Sequence, residues 1–131
     1  MKRKVTIPPR PTPAELEILR ILWNRGPCSV REVLGELRKA RPTGYTTALK
    51  FLQIMAAKGL VSRDDHSRAH LYRAAVAEEA TQRTLVSDLI ARAFGGDAPK
   101  LVMRALETGK LTSDELAEIR TLIDSMKETK R

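Results

Sequence analysis

Cysteine is almost missing from this chain. Cys28 stands alone in 131 residues, so no disulfide can form within the chain, which excludes a disulfide-stapled secreted scaffold and suits a reducing cytosol. Aromatic residues are scarce, at 4%, so any core must come mainly from aliphatic side chains packed between helices. No stretch approaches the 18 consecutive apolar residues that a spanning helix needs, which argues against membrane insertion. The first ten residues carry the charge of a signal peptide's start, but no apolar segment of about 7–15 residues follows. The expected location is therefore the cytoplasm. The motifs of catalysis are lacking too. There is no nucleophile with a base partner, no carboxylate pair in a Gly-rich loop and no phosphate-cradling glycine motif. Neither an enzyme nor a cofactor is expected.

What the chain does have is positive charge, concentrated at one end. The formal net charge is +8, and residues 1–76 hold 15 Lys/Arg against 6 Asp/Glu while residues 77–131 hold 9 against 10. A charge that merely solvated the surface would be spread more evenly. The asymmetry points to a polyanion-binding front half joined to a back half that binds protein. With 42% apolar residues, the length supports one domain or two small ones.

Residues 1–11 form a basic, proline-rich arm, with Lys2, Arg3 and Lys4 ahead of Pro8, Pro9 and Pro11. Such a composition disfavours regular structure and gives a stiff extended segment. It either lies along phosphates or a minor groove or serves as a solubilising tail. Helical signals begin at Thr12, where Thr12-Pro13-Ala14-Glu15 makes a capping box with proline at its preferred first position. Leu16, Ile18, Leu19, Leu22 and Trp23 form the apolar stripe, and Gly26-Pro27 ends the helix. Trp23 reads as a core anchor whose indole N–H needs a partner. A second capping box, Ser29 to Glu32, opens a helix that buries Val30, Val33, Leu34 and Leu37. Cys28 reads as a small buried filler rather than a reactive thiol, in a segment short enough to be a strand beside a later hairpin.

The stretch from Thr43 to Arg63 organises the rest. On a helix, Tyr45, Ala48, Leu49, Leu52, Met55 and Ala56 share one apolar face. The opposite face carries Thr46, Thr47, Lys50, Ile54 and Ala57, with one positive charge and no negative one. Thr43 is the expected N-cap and Lys58-Gly59 the stop. Strand-like runs at Leu60–Arg63 and Leu71–Ala74 flank a polar turn, which makes a hairpin. Its His66, His70, Asp64 and Asp65 invite a metal reading, but their spacing matches no zinc pattern, and no metal site is expected. Residues 12–76 thus read helix, helix, helix, strand, strand, the order of a winged helix-turn-helix whose third helix enters the major groove of duplex DNA.

On that reading Thr46, Thr47, Lys50 and Ile54 meet base edges. Threonine can hydrogen-bond a base or set its methyl against a thymine methyl, and lysine suits guanine. Ile54 either contacts a thymine methyl or meets the wing or a partner protein. Arg41, Arg63, Arg68 and Arg73 hold phosphates, with Tyr45 at the start of the helix beside them. The competing class is a winged-helix protein-interaction module without sequence-specific DNA binding, for which Phe51 and Ile54 would supply the surface. Lys50 and the basic front half weigh against it.

Residues 77–131 carry three further helical segments. The first runs from Ala77 to Phe94, burying Leu85, Val86, Leu89, Ile90 and Ala93, and stops at Gly95-Gly96. Asp97 caps the second, with Leu101, Val102 and Leu106. Thr112 to Glu115 is a third capping box, ahead of Leu116, Ile119, Leu122, Ile123 and Met126. Three such helices make a marginal independent core. Either they dock onto the front half or, as we expect, a second copy covers Leu85, Leu89, Ile90, Phe94, Leu101, Val102, Leu116, Ile119, Leu122 and Ile123 in a homodimer. The fold class expected is mainly α (α+β): a winged helix-turn-helix over residues 12–76 and a helical dimerisation region over 77–131.

Several of these stretches resemble the penicillinase-repressor family (BlaI, MecI and CopY). They are Glu17-Ile18-Leu19 with Ile21-Leu22-Trp23, Tyr45 to Leu49 followed by Lys58-Gly59-Leu60-Val61, Arg68 with Tyr72-Arg73, Phe94 to Asp97, and Leu111 to Leu116. Their order and spacing cover roughly residues 12–126. The resemblance implies a homodimeric repressor on a palindromic DNA operator. In the best-known members the repressed genes concern β-lactam resistance, and a membrane sensor-protease triggers cleavage in the dimerisation region. By alignment that cut falls near Arg104-Ala105, where the well-known members have Asn-Phe. The copper-responsive branch has a C-terminal cysteine cluster, which Met126 to Arg131 lacks.

Overall fold

The computed structural model describes residues 10–66, 68 and 70–130. The basic arm expected over residues 1–11 therefore lies almost entirely outside the described residues. The elements in chain order are α1 (Pro13–Arg25), α2 (Val30–Arg38), α3 (Tyr45–Lys58), β1 (Val61–Asp64), β2 (Leu71–Ala74), α4 (Glu78–Ala93), α5 (Ala98–Thr108) and α6 (Ser113–Thr129). The mainly α (α+β) expectation holds.

Each capping box closes as its sequence requires. Thr12 accepts from the Glu15 N–H while the Glu15 carboxylate accepts from the Thr12 N–H at 2.9 Å. Ser29 and Glu32 do the same for α2, and Thr112 and Glu115 for α6. These reciprocal bonds satisfy amide donors that a helix start otherwise leaves orphaned. The start of α3 differs from expectation. Gly44, with φ −91° and ψ 156°, is its N-cap, and no side chain caps it. Thr43 belongs to the preceding turn instead: its hydroxyl donates to the Arg41 carbonyl, and its own carbonyl accepts from Arg38 Nε at 2.9 Å. At the far end Gly59 has φ 82°, the left-handed region that glycine enters at least cost. The Gly59 and Leu60 amides close on the Ala56 and Met55 carbonyls, a Schellman arrangement. Leu60 is thus spent on the cap, and the strand begins at Val61, one residue later than the pattern suggested.

The core lies among α1, α2, α3 and the hairpin. It gathers Ile18, Leu19 and Leu22 of α1, Val33, Leu34 and Leu37 of α2, Ala48, Leu52 and Met55 of α3, and Leu60, Val61 and Tyr72 at the hairpin. Truncating any of the large aliphatics here to alanine would cost about 2–5 kcal/mol. Trp23 is partly buried and its indole donates to the Val76 carbonyl at 2.9 Å. β1 and β2 pair antiparallel, with Arg63 opposite Tyr72. Cys28 adds the expected third piece by bridging Tyr72 through two backbone bonds of 2.9 and 2.7 Å. Its thiol is buried, and burial pushes its pKa above the ordinary value; a protonated filler fits both facts.

Two compact units emerge, one ending at Ser87 and the other starting at Asp88. The division falls inside α4, and the side chain of α4 that is buried, Thr81, lies on the first unit's portion. In the second unit Asp97 caps α5 by accepting from the Lys100 N–H. None of the side chains of α5 and α6 is buried.

Candidate nucleic-acid interface

Helix α3 offers a face that the core leaves alone. Ala48, Leu52 and Met55 are buried on one side, while Thr46, Thr47, Lys50, Ile54 and Ala57 are exposed on the other. The buried face is narrower than the periodicity suggested. Tyr45, in the first turn of α3, is 43% exposed, and Ala56, in its last turn, is exposed as well, so the core covers only the middle of the helix. Phe51, which the protein-interaction reading placed on the surface, packs partly buried against the core beside Leu49. The four base-reading candidates therefore share one surface with no carboxylate on their own helix.

Tyr45 meets a cation that the sequence reading passed over. The Arg31 guanidinium lies over its ring, 5.6 Å from the centroid, a cation–π distance. The signal for Arg31 was available: Val30, Val33, Leu34 and Leu37 bury one face of α2 and turn Arg31 outward. Arg31, Tyr45, Arg63 and His70 line a groove of about 330 Å³ between the start of α3 and the wing. The α3 N-terminus beside it has no side-chain cap, so its first amides are open to an anionic oxygen.

The predicted phosphate-holding arginines are exposed, but three of the four are already engaged. Arg41 Nη2 sits 2.7 Å from Glu17, Arg63 Nε 2.6 Å from Asp65, and Arg73 Nη2 3.4 Å from Asp64. Asp65 also meets His70 Nδ1 at 2.9 Å. The Arg63 guanidinium, with a smaller contribution from His70, holds the Asp65 carboxyl below the usual carboxylate range. Arg68 has no such partner among the described residues and stands exposed in the wing's turn. Pairing at this exposure costs little to undo, about 0–1 kcal/mol each. A phosphate can therefore replace the carboxylate, although the wing meets it carrying two acids as well as its arginines.

Behind this face a buried charge fastens α3 to α1. Glu15 is 2% exposed, and Lys58, the last residue of α3, donates to both its oxygens at 3.0 and 2.8 Å. Burial pushes the Glu15 pKa up, but the Lys58 and Thr12 hydrogen bonds outweigh it and leave it below the ordinary value. Neither residue was singled out from sequence for this role. The remaining site prediction, Arg104-Ala105, lies inside α5, where Arg104 pairs with Glu107 one turn on.

Three helices on one core, the third with an open polar face, followed by a two-stranded wing: these define a winged helix-turn-helix DNA-binding protein. The penicillinase repressor family model matches residues 11–125. The chain belongs to that family, whose members are DNA-binding transcriptional repressors and not enzymes. It is 23% identical over 123 residues to the penicillinase repressor of Bacillus licheniformis, covering 94% of this chain and 96% of the relative. The methicillin resistance regulatory protein MecI of Mammaliicoccus sciuri is 22% identical over 111 residues, covering 85% and 90%. The solution structure of the Bacillus licheniformis BlaI monomer in complex with the blaP half-operator is 25% identical, with a TM-score of 0.49, and covers 54% of this chain and 87% of its own.

Proposed function

We propose that this repressor works in the cytoplasm as a homodimer on a palindromic operator, with Thr46, Thr47, Lys50 and Ile54 of α3 reading bases. The observation that carries the reading is the carboxylate-free exposed face of α3, with Arg31 and Arg63 beside its first turn and Arg68 and Arg73 on the wing. Lysine and threonine on such a face match guanine acceptors and either base or methyl groups in the major groove. Arginines at its margins, with Tyr45 and the uncapped amides of α3, hold the phosphates that fix register.

The dimer is supported by the back half. Leu89 is 49% exposed, Val102 44%, Leu116 47%, Leu122 60% and Ile123 42%, and Leu85, Ile90, Phe94, Leu101 and Ile119 are only half-buried in the single chain. Apolar surface this extensive marks an interface, and a second copy supplies a matching one by symmetry. Two reading helices then address half-sites about one helical turn apart, or a multiple of it. Repression follows by excluding polymerase. The names of the relatives, penicillinase repressor and methicillin resistance regulatory protein, support control of β-lactam-resistance genes; control of cell-envelope stress genes and induction through a membrane sensor-protease or its pathway are parts of the proposal that rest on the family resemblance. A cut at Arg104-Ala105 would need α5 to unwind locally, since a protease takes its substrate extended.

The test is duplex DNA selected by the full chain from a random pool, followed by binding across salt concentrations. Lys50→Ala should cost about 1–3 kcal/mol on the selected sequence and little on random DNA. Arg68→Ala should weaken both alike and lower the salt slope by about 1. Equal losses on selected and random DNA for Lys50→Ala would refute base reading by α3.

A further inference from the structure

Thr47, Lys50, Phe51 and Ile54 stand at i, i+3, i+4 and i+7 on α3, so they form one continuous facet. Together they line a shallow cleft of about 120 Å³. Phe51 packs partly against the core and forms the floor. Ile54, 42% exposed, forms the wall toward the end of the helix. Thr47 and Lys50 complete the mainly apolar lining, and a lysine can lay its carbon stem along such a surface while its ammonium reaches outward. The cleft is well below the roughly 300–1,000 Å³ of a small-molecule site. It is also apolar in the middle of the face offered to DNA. In the major groove a single base-pair feature is apolar and projects from the edge, the C5-methyl of thymine.

We propose that this cleft is a thymine-methyl socket, with Ile54 as the specificity-determining residue for one thymine in each half-site. The proposal rests on base reading by α3 and adds what that reading leaves open: which base, and through which group. The Lys50 ammonium above the cleft reaches the neighbouring phosphate or guanine, so the methyl enters under a cation that holds its own strand. Ile54 gives selectivity by shape and desolvation, with no hydrogen bond.

Deoxyuridine differs from thymidine by that methyl alone, which makes the test clean. Each thymine of the selected duplex is replaced in turn by deoxyuridine, and affinity is measured for the full-length wild type and for Ile54→Ala. In the wild type one thymine per half-site should respond with about a fourfold loss, the worth of one buried methyl group. Ile54→Ala should bind the thymine and deoxyuridine duplexes alike at that position and retain other base preferences. Ile54→Val should give an intermediate ratio. Ile54 is outside the core, so both variants fold, which a thermal melt checks. A silent deoxyuridine scan in the wild type, or a response that survives Ile54→Ala, overturns the socket and leaves base reading intact. A wild-type chain that selects no common sequence overturns base reading, and the socket with it.

Discussion

Replacing Lys58 by methionine should destabilise the DNA-binding unit more than replacing its partner Glu15 by glutamine. The two sides of this pair are unequally buried: the side chain of Glu15 is 3% exposed and that of Lys58 is 43% exposed. Removing one partner of a fully buried pair costs about 3–5 kcal/mol, because the charge left behind has no compensation. Here the lysine end is screened by water, and the stranded carboxylate keeps the Thr12 amide at 2.9 Å. The expected cost of Lys58→Met is therefore nearer about 2 kcal/mol. Glu15→Gln removes the buried charge, keeps an acceptor for Thr12 and lets Lys58 turn into solvent, so it should cost about 0.5–1 kcal/mol.

The pH dependence separates this account from simple loss of packing. In the wild type Glu15 titrates below its ordinary value of 4.5 despite burial, through Lys58 and Thr12. A depressed carboxylate contributes stability that is complete above the ordinary value and is lost as pH falls through the folded one. In Lys58→Met burial, opposed then only by the Thr12 bonds, should push the folded value up, and the penalty should fade as acid neutralises the carboxyl. Urea denaturation at pH 7 and pH 4 should show a gap of about 1 kcal/mol between the two variants that closes at the lower pH. A Lys58→Met cost no larger than that of Glu15→Gln at pH 7, or a gap that persists at pH 4, would refute the reasoning.

Asp65 should act as a brake on the wing. With Arg63 and His70 both held to it at 2.6 and 2.9 Å, Asp65→Asn should tighten binding to random duplex about two- to fivefold and steepen the salt dependence. Unchanged binding to random duplex in a salt titration would show that the wing stays away from the backbone. In the back half, Leu89→Lys and Leu122→Lys each place a charge in an apolar patch. Each should shift the sedimentation profile to monomer and weaken operator binding, while a 1:1 half-site complex keeps its sequence preference. A dimer surviving both changes would assign the interface elsewhere.

The helices of the front half were legible because their ends are written chemically. Thr12 with Glu15, and Ser29 with Glu32, announce where backbone donors find oxygen, and Gly59 announces where the chain must turn left-handed. The faces of α3 were less legible for the converse reason. Apolar residues nearly encircle it at Tyr45, Leu49, Phe51, Ile54 and Ala56, so periodicity alone could not choose between Phe51 and Tyr45 for the interior. That choice was made by α2 and β1, the elements most in contact with α3, which leave Tyr45 in its first turn 43% exposed. Nor could composition show that Arg41, Arg63 and Arg73 each rest on a carboxylate, since counting charges ignores which ones the fold brings together. In the back half the apolar stripes of α5 and α6 are expected to be covered by a second copy, and in the single chain Leu122 and Val102 stand open. An apolar stripe states that a surface needs covering, and not which chain covers it. If a second copy covers α5 and α6, operator affinity should rise and fall with subunit concentration, which a dilution series in a DNA-binding assay checks.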